Sequence, residues 1–379
     1  MKRIFTGILL LFMIPADGFA QSISQVVDAV RKQYAPDKRV AIFNVEADSS
    51  GQLTGFTNLP EAKQALLAQL KAADVAVVDQ IQLLPAPVLG EKTYAIVNVS
   101  VANLRSNARN AAELSTQALL GMPLKVWDNG PSPRGKGWYQ VQTPDQYIAW
   151  TDAGAIQLMT KADFEQWQSA EKIIYTRPFG FVYSEPGKRS QTVSDIVAGN
   201  TLVLLGENRQ YYQVRYPDGR TGYIPKREAQ RFDRWKSSAK PTEEALVNTA
   251  KSLMGIPYLW GGTSVKGMDC SGFTKTVYLL NGQQLSRDAS QQVNEGELIE
   301  TPGKTFAQLK PGDLMFFGEP ATADKPERVV HVAMWIGNNE FIHASGHIRV
   351  TSVDPTAPNF DAYELNRFLR AKRVVKTGI

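Results

Sequence analysis

The spacing of hydrophobic residues in the first part of the chain predicts a small α/β unit. In SISQVVDAVRKQY, apolar side chains recur every three or four positions, which indicates a helix with one buried face. RVAIFNV and VAVVDQIQLLP are typical of strands, and LPEAKQALLAQLKA between them is helical. Residues 21–93 carry no chemical motif, so we interpret this α/β unit as a packing or spacer module of unknown role.

A different pattern, short strands between polar turns, occupies the middle of the chain. WYQVQTPD at 138–145 recurs as YYQVRYPD at 211–218, and each copy is followed by a second apolar strand. Strands separated by Gly, Asn, Asp and Pro turns are typical of small β-barrels, and a repeated octapeptide indicates duplication. The sequence therefore predicts two related barrels, over 94–160 and 161–237.

The last part of the chain returns to helical spacing and contains Cys270, the only cysteine of the 379 residues. FTKTVYLL, which follows this cysteine, has the apolar spacing of a helix, and Asp269 is a suitable N-cap. Cys270 is therefore expected in the first helical turn, where unpaired N–H groups and the helix dipole stabilise a thiolate. We expect a lowered thiol pKa and a nucleophile, although a lone cysteine can also be an inert core residue.

The chain has three histidines, and all of them follow this cysteine in one stretch. VVHVAMWI and EFIHAS alternate like two strands joined by Gly-Asn-Asn. If Ile336 lies opposite Glu340, His331 and His343 share one sheet face as diagonal neighbours. One ring can then take the thiol proton while the other orients it. A purely structural role for either histidine is the alternative, and His347 is expected to be exposed.

The N-terminal segment resembles a targeting sequence. Lys2 and Arg3 precede the apolar run IFTGILLLFMIP. The segment that follows this run ends with a small residue, Ala20. These features predict a secretory signal peptide over residues 1–20, with a buried N-terminal helix as the alternative. We therefore expect export, with the periplasm as the location. An unpaired cysteine in such a compartment needs a chemical reason to be retained.

Composition adds few constraints. Hydrophobic residues make up 43% and charged residues 21%, as in ordinary globular proteins, and the net charge is +5. This modest charge gives no argument for a nucleic-acid partner, and no later segment is long and apolar enough to span a membrane. There is no HExxH or comparable ligand pattern, so we expect neither a metal nor another cofactor. The oligomeric state stays open.

Four motifs of the last 140 or so residues resemble those of a known family. YLWGGTSVKGMDCSGF, LKPGDLMFF, HVAMWIG and FIHASG are closely similar to the NlpC-type cell-wall cysteine peptidases over residues 243–375. The resemblance implies a compact papain-like peptidase domain at 238–379 that needs no cofactor. It implies that Cys270 is the nucleophile, His331 the base and His343 the third polar residue.

The order of domains resembles a subgroup of this family with two SH3-like domains before the peptidase. The fold class is therefore α+β and multidomain. The resemblance implies an endopeptidase that cuts between D-γ-glutamate and a diamino acid in peptidoglycan stem peptides with a free N-terminal L-Ala. Such an enzyme recycles wall fragments. The alternatives are a wall-binding protein without activity and a thiol-dependent amidase or acyltransferase acting on intact wall. Diaminopimelate and lysine stay open as the third residue of the stem.

The same resemblance implies further site residues. Tyr258 matches a tyrosine over the catalytic site, with packing beneath the loop as the alternative role. The residues that match substrate contacts are Asp269, Ser271, Asp288, Glu113 and Tyr147. Asp288 can instead cap a helix that begins at Ala289.

Overall fold

The structure, a computed structural model, describes residues 16–130 and 137–375, with side chains from Ile23 onward. Of the predicted signal peptide, only 16–20 are described, as part of the first helix; residues 1–15 lie outside the described residues. No helix of the described chain is both long and apolar enough to cross a membrane. The described residues form two compact units, one ending at Val88 and the other beginning at Leu89.

The first unit is the expected α/β module. Strand β2 pairs antiparallel with β1 and parallel with β3 and β4. The apolar face predicted for the first helix is buried, since Ile23, Val27 and Val30 are at most 3% exposed. The predicted strand in VAVVDQIQLLP is two short strands. The elements are α1 (Ala16–Tyr34), β1 (Phe43–Ala47), β2 (Gln52–Thr57), α2 (Pro60–Ala72), β3 (Val78–Asp79) and β4 (Gln82–Leu83).

The second unit begins with a seven-stranded antiparallel sheet in the order β11-β5-β8-β9-β10-β6-β7. Val97, Leu104, Val126 and Val141 are fully buried in its core. The strands are β5 (Tyr94–Val97), β6 (Val101–Arg105), β7 (Leu114–Leu119), β8 (Pro123–Asn129), β9 (Trp138–Gln142), β10 (Ile148–Asp152) and β11 (Ile156–Met159). Helix α3 (Lys161–Ser169) follows, with Thr160 as its N-cap.

A second seven-stranded antiparallel sheet has the order β14-β13-β17-β16-β15-β12-β18. If the strands of each sheet are numbered along the chain from the first strand of that sheet, the two sheets have the same order. The second sheet is then read from β18 to β14. WYQV and YYQV both form the fifth strand, as a duplication requires. The strands are β12 (Lys172–Tyr175), β13 (Phe179–Tyr183), β14 (Thr192–Val197), β15 (Thr201–Glu207), β16 (Tyr211–Arg215), β17 (Thr221–Pro225) and β18 (Ala229–Arg231).

The rest of the second unit is built on a six-stranded antiparallel sheet in the order β21-β26-β22-β23-β24-β25. Helix α6 packs on β23 and β24. The sheet strands are β21 (Glu297–Ile299), β22 (Leu314–Glu319), β23 (Arg328–Gly337), β24 (Glu340–Ser345), β25 (His347–Ser352) and β26 (Phe368–Arg373); β19 (Thr263–Ser264) and β20 (Gly267–Met268) form a separate hairpin. The helices are α4 (Phe232–Ser238), α5 (Glu243–Ser252), α6 (Cys270–Leu280), α7 (Ala289–Gln292) and α8 (Ala362–Asn366).

The first seven-stranded sheet packs directly against helix α6 and the hairpin before it. Lys275 of α6 forms a buried ion pair with Asp145. Gln117 of β7 accepts hydrogen bonds from the backbone N–H of Thr263, at 3.0 Å, and from the Ser264 hydroxyl, at 2.9 Å. These buried polar contacts fix the first sheet relative to the helix that begins with Cys270, because leaving any of them unpaired is costly.

Candidate active site

Cys270 is the first residue of helix α6 and is only 7% exposed. Asp269 is the N-cap residue, and its carboxylate accepts a hydrogen bond from the Gly272 N–H at 2.7 Å. The predicted cap and the predicted position of the cysteine are therefore confirmed. The thiol lies where the unpaired N–H groups of a helix start are concentrated.

The expected lowering of the Cys270 pKa is wrong for this structure. Burial raises the pKa of the thiol to about 12, and the neighbouring Asp269 carboxylate adds to the rise. The backbone N–H groups of Val332 and Ser271 favour the thiolate but do not outweigh these effects. The sequence indicates that Cys270 lies at a helix start but not how deeply it is buried. Here desolvation raises the thiol pKa by more than the helix dipole lowers it. At neutral pH the thiol keeps its proton, so a base must remove it.

The two strands that carry the histidines pair in the predicted alignment beyond the turn, although a bulge places Gly337 rather than Ile336 opposite Glu340. Met334 lies opposite Ile342, which places His331 and His343 on one face of the sheet. Nε2 of His331 is 2.8 Å from Nδ1 of His343, and Nε2 of His343 is 3.0 Å from the Thr351 hydroxyl. The predicted hydrogen bond between the rings is confirmed. It leaves Nδ1 of His331 as the ring nitrogen that can accept a proton.

Both imidazoles are neutral at physiological pH. Burial lowers the pKa of His331 to about 3, and the cations Arg367 and Arg349 lower it further. Burial, followed by the charge of His331, lowers the pKa of His343 to about 3. In the tautomer in which His331 donates from Nε2 to His343, and His343 donates to Thr351, Nδ1 of His331 is an unprotonated base.

Tyr258 is half-buried and lies between the loop that precedes Cys270 and the strand end after His343. Its backbone N–H donates to the Gly346 carbonyl at 2.9 Å. Burial raises the pKa of its hydroxyl, the nearby Asp269 carboxylate adds to the rise, and the hydroxyl stays protonated. Its packing beside the thiol agrees with the predicted position over the site, and a protonated phenol can donate a hydrogen bond there.

A buried arginine that the sequence analysis did not single out organises the start of helix α6. Arg287 is 1% exposed and binds Asp269 with two nitrogens, Nη1–Oδ1 at 3.1 Å and Nη2–Oδ2 at 2.6 Å. It also donates to the Ser271 hydroxyl at 3.0 Å and, from the other side, to Thr116 of β7 at 2.9 Å. Asp269 and Ser271, predicted substrate contacts, are therefore both held by Arg287.

Glu113 connects the first sheet to the loop over the cysteine. Its Oε1 accepts a 2.6 Å hydrogen bond from the indole N–H of Trp260, two residues beyond Tyr258. Trp260 is 62% exposed and Glu113 is exposed, so the pair stands at the rim of the site.

The two other predicted substrate contacts lie on either side of Arg287. Tyr147 is 8% exposed, belongs to the core of the first sheet and is close enough to Arg287 to raise its pKa. Asp288 has a side chain that is 28% exposed, with Oδ1 4.0 Å from Nη1 of Arg287. Asp288 also forms a capping box with Gln291 at the start of α7, so the alternative capping role is present as well.

Glu364 of helix α8 is a further buried acid beside the histidines that the sequence did not reveal. Its Oε1 is 3.8 Å from Nε2 of His331, and Arg367 holds both carboxylate oxygens at 2.8 and 2.7 Å. One group of described residues has potential metal-ligand atoms that all lie within 4.8 Å of one another. It consists of His331, His343 and Glu364. Each of these residues already has a protein partner in this hydrogen-bonded network.

A buried thiol at a helix start and a histidine pair on the adjacent sheet define a cysteine peptidase of the compact papain-like kind. Family comparison agrees. Residues 255–366 match the NlpC/P60 family model, residues 104–156 the bacterial dipeptidyl-peptidase SH3 domain, and residues 179–229 the bacterial SH3 domain. The chain belongs to the NlpC/P60 family and carries two bacterial SH3 domains.

The chain is similar to curated peptidases over most of their length. It is 30% identical to a gamma-D-glutamyl-L-lysine dipeptidyl-peptidase of Bacillus cereus, covering 65% of this chain and 72% of the relative. It is 31% identical to dipeptidyl-peptidase 6 of Lysinibacillus sphaericus, over 70% and 93% of the two chains. The crystal structure of an NlpC/P60 family protein from Bacillus cereus has the same fold, with a TM-score of 0.60 at 24% identity, covering 75% of this chain and 100% of that chain.

Proposed function

We propose that this protein hydrolyses the bond between γ-D-glutamate and a diamino acid in peptidoglycan-derived peptides whose N-terminal L-Ala is free. The hydrogen bond between Glu113 and Trp260 carries the proposal, because it joins an SH3-domain carboxylate to the loop that precedes Cys270. The name of the Bacillus cereus relative, a gamma-D-glutamyl-L-lysine dipeptidyl-peptidase, supports the same bond. The proposal adds the requirement for a free amine.

The reaction begins with transfer of the Cys270 proton to Nδ1 of His331. The Cys270 sulfur bonds to the γ-glutamyl carbonyl carbon as the proton leaves, which avoids a free thiolate in a buried site. His343 accepts the hydrogen bond from Nε2 of His331 and stabilises the imidazolium that forms. In this mechanism the Cys270 N–H, at the helix start, and the Tyr258 hydroxyl stabilise the developing oxyanion.

The tetrahedral intermediate then breaks at the C–N bond. His331 gives its proton to the departing α-amine of the diamino acid, and the L-Ala-γ-D-glutamyl group stays on Cys270 as a thioester. Water, deprotonated by His331, adds to the thioester carbonyl. The C–S bond breaks, the thiol regains its proton, and L-Ala-D-Glu leaves with a free γ-carboxylate.

Acids from two domains are the candidate partners of a free ammonium on L-Ala. Glu113 comes from the first SH3 domain and Asp288 from the start of α7, and both side chains are partly exposed to a substrate. An ammonium that is removed from water needs such partners, since burying it alone is unfavourable. An N-acyl group in its place would remove the charge and add bulk against the SH3 domain.

This requirement limits the substrate to fragments already released from the glycan strand. The protein would then recycle wall peptides and spare intact peptidoglycan, and the N-terminal pattern of residues 1–20 supports a periplasmic location. The test compares kcat/KM for L-Ala-γ-D-Glu-L-Lys and its N-acetylated form. We expect the acetylated peptide to be cut at least tenfold more slowly, as for loss of one charge-assisted hydrogen bond. Equal rates would contradict the requirement for a free amine.

A further inference from the structure

A cavity of about 410 Å³ opens beside His331, and the described residues that line it all come from the peptidase domain. Its walls come from the strand end after His343 and from helix α8 with the residues flanking it. Tyr258 and His331 are shared between this cavity and the catalytic site. The described residues that line the cavity include none of the residues predicted to contact the L-Ala-γ-D-Glu part of the substrate. Those predicted residues are Asp269, Ser271, Asp288, Glu113 and Tyr147.

The position of the cavity identifies which part of a substrate enters it. In the proposed reaction, His331 protonates the departing amine, so the leaving amino acid must lie against this ring. The acyl part occupies the other side, near Arg287 and Glu113. The cavity that shares His331 and Tyr258 with the catalytic site is therefore the place for the leaving amino acid.

The charged groups of this cavity have both signs. Asp361 accepts from the Glu364 N–H at 3.1 Å through Oδ1 and from Arg349 at 3.1 Å through Oδ2, so each oxygen has room for a further donor. Its backbone and arginine hydrogen bonds outweigh burial and lower the pKa of Asp361, which keeps its carboxylate ionised.

Arg367 supplies the positive charge. Its Nε and Nη2 bind Glu364, at 2.8 and 2.7 Å, and its guanidinium lies 4.7 Å from the ring centroid of Tyr363. These contacts fix the plane of the guanidinium and leave Nη1 directed away from the Glu364 pair, with no hydrogen bond to any described residue. A carboxylate is the ligand that such a fixed N–H group binds best.

We propose that this cavity selects a leaving amino acid whose far end carries both an ammonium and a carboxylate, with Asp361 binding the ammonium and Arg367 the carboxylate. A diamino dicarboxylic acid such as diaminopimelate has that end group, whereas lysine has the ammonium alone. Lysine would place its ammonium near Arg367 without a carboxylate to compensate. This inference rests on the proposed function and names Arg367 as the residue that determines specificity.

The test measures kcat/KM for three peptides, L-Ala-γ-D-Glu followed by meso-diaminopimelate, by L-lysine, or by diaminopimelate amidated at the carboxylate remote from the scissile bond. The diaminopimelate peptide should be preferred over the lysine peptide on the order of tenfold, and amidation should remove the preference. In Arg367→Gln the ratio should fall to near one. The ratio is informative because any general effect on His331 cancels between substrates.

Arg370→Gln is the matched control. Arg370 lies three positions further along the same segment, but it pairs with Glu327 and does not line the cavity. The wild-type ratio should persist in this variant. Arg367→Gln could prove inactive on all peptides. In that case we would measure binding of free diaminopimelate and of free lysine to two proteins, Cys270→Ala and Cys270→Ala/Arg367→Gln. These affinities give the same comparison without turnover.

Two results would overturn the inference while leaving the proposed function in place. One is equal kcat/KM for the diaminopimelate and lysine peptides in the wild-type protein. The other is a preference that survives Arg367→Gln. A failure of the proposed function looks different, because none of the three peptides would then be cut after γ-D-glutamate.

Discussion

The carboxylate of Asp269 and the guanidinium of Arg287 form a two-point ion pair in which the arginine is 1% exposed. The pair fixes the residue that caps the nucleophile's helix. Because Arg287 also reaches Thr116, the same contact ties the peptidase domain to the first SH3 domain. Arg287 therefore contributes both to catalytic geometry and to domain packing.

Replacing this arginine tests the pair. Arg287→Met leaves the Asp269 charge buried without its cation, which typically costs about 3–5 kcal/mol. We expect a loss of that size in the free energy of unfolding, measured by urea titration and circular dichroism. Arg370→Met removes a partly exposed pair with Glu327 and should cost less than about 1 kcal/mol. Similar losses in both variants would argue against a special role for Arg287.

The chain of hydrogen bonds through the two rings predicts a graded loss of activity. His331→Ala should abolish turnover, because the residue is the proposed base. His343→Asn should retain more activity than His343→Ala, since an amide can still accept from Nε2 of His331. Values of kcat/KM on one tripeptide decide the order. A larger loss at His343 than at His331 would reverse the assigned roles.

Burial of the two neutral imidazoles predicts how stability changes with pH. The folded pKa of each is about 3, and the unfolded value is about 6.5. Between these values the unfolded chain binds protons that the folded protein excludes, so stability falls as pH is lowered from about 6.5 towards 3. Each histidine contributes up to about 1.4 kcal/mol per pH unit there. Above pH 6.5 neither histidine contributes to the change of stability with pH.

The measurement is the free energy of unfolding at pH 7.0, 6.0 and 5.0 for the wild type and for His331→Gln/His343→Gln. The double variant should show a shallower decline over this range, because carboxylates titrating in both proteins cancel in the comparison. An equally steep decline would mean that the histidines are not held neutral in the folded state.

The raised pKa of Cys270 predicts slow alkylation at neutral pH. With a folded pKa of about 12, the rate with iodoacetamide should keep rising with pH through pH 9. A rate already at its plateau below pH 8 would show that a thiolate–imidazolium pair exists in the resting protein. The control is Cys270→Ala, which removes the only cysteine of the chain.

Local sequence patterns predicted much of this site. Alternation in the two histidine strands gave the correct pairing beyond the turn but not the bulge at Gly337. The repeated WYQV and YYQV strands predicted two sheets of one topology. The missed residues, Arg287 and Glu364, take their roles from partners distant in the chain, such as Asp269 and His331, which no local pattern contains. The direction of the Cys270 pKa shift was wrong because it depends on depth of burial, a property of the whole packed domain.

The most direct test of the central claim is mass spectrometry of L-Ala-γ-D-Glu-diamino-acid tripeptide after incubation with the wild-type protein and with Cys270→Ala. We predict two products, L-Ala-D-Glu and the free diamino acid, from the wild type, and none from the folded alanine variant. Hydrolysis by Cys270→Ala at a comparable rate, or an intact tripeptide after incubation with the wild type, would contradict a Cys270-dependent γ-D-glutamyl peptidase.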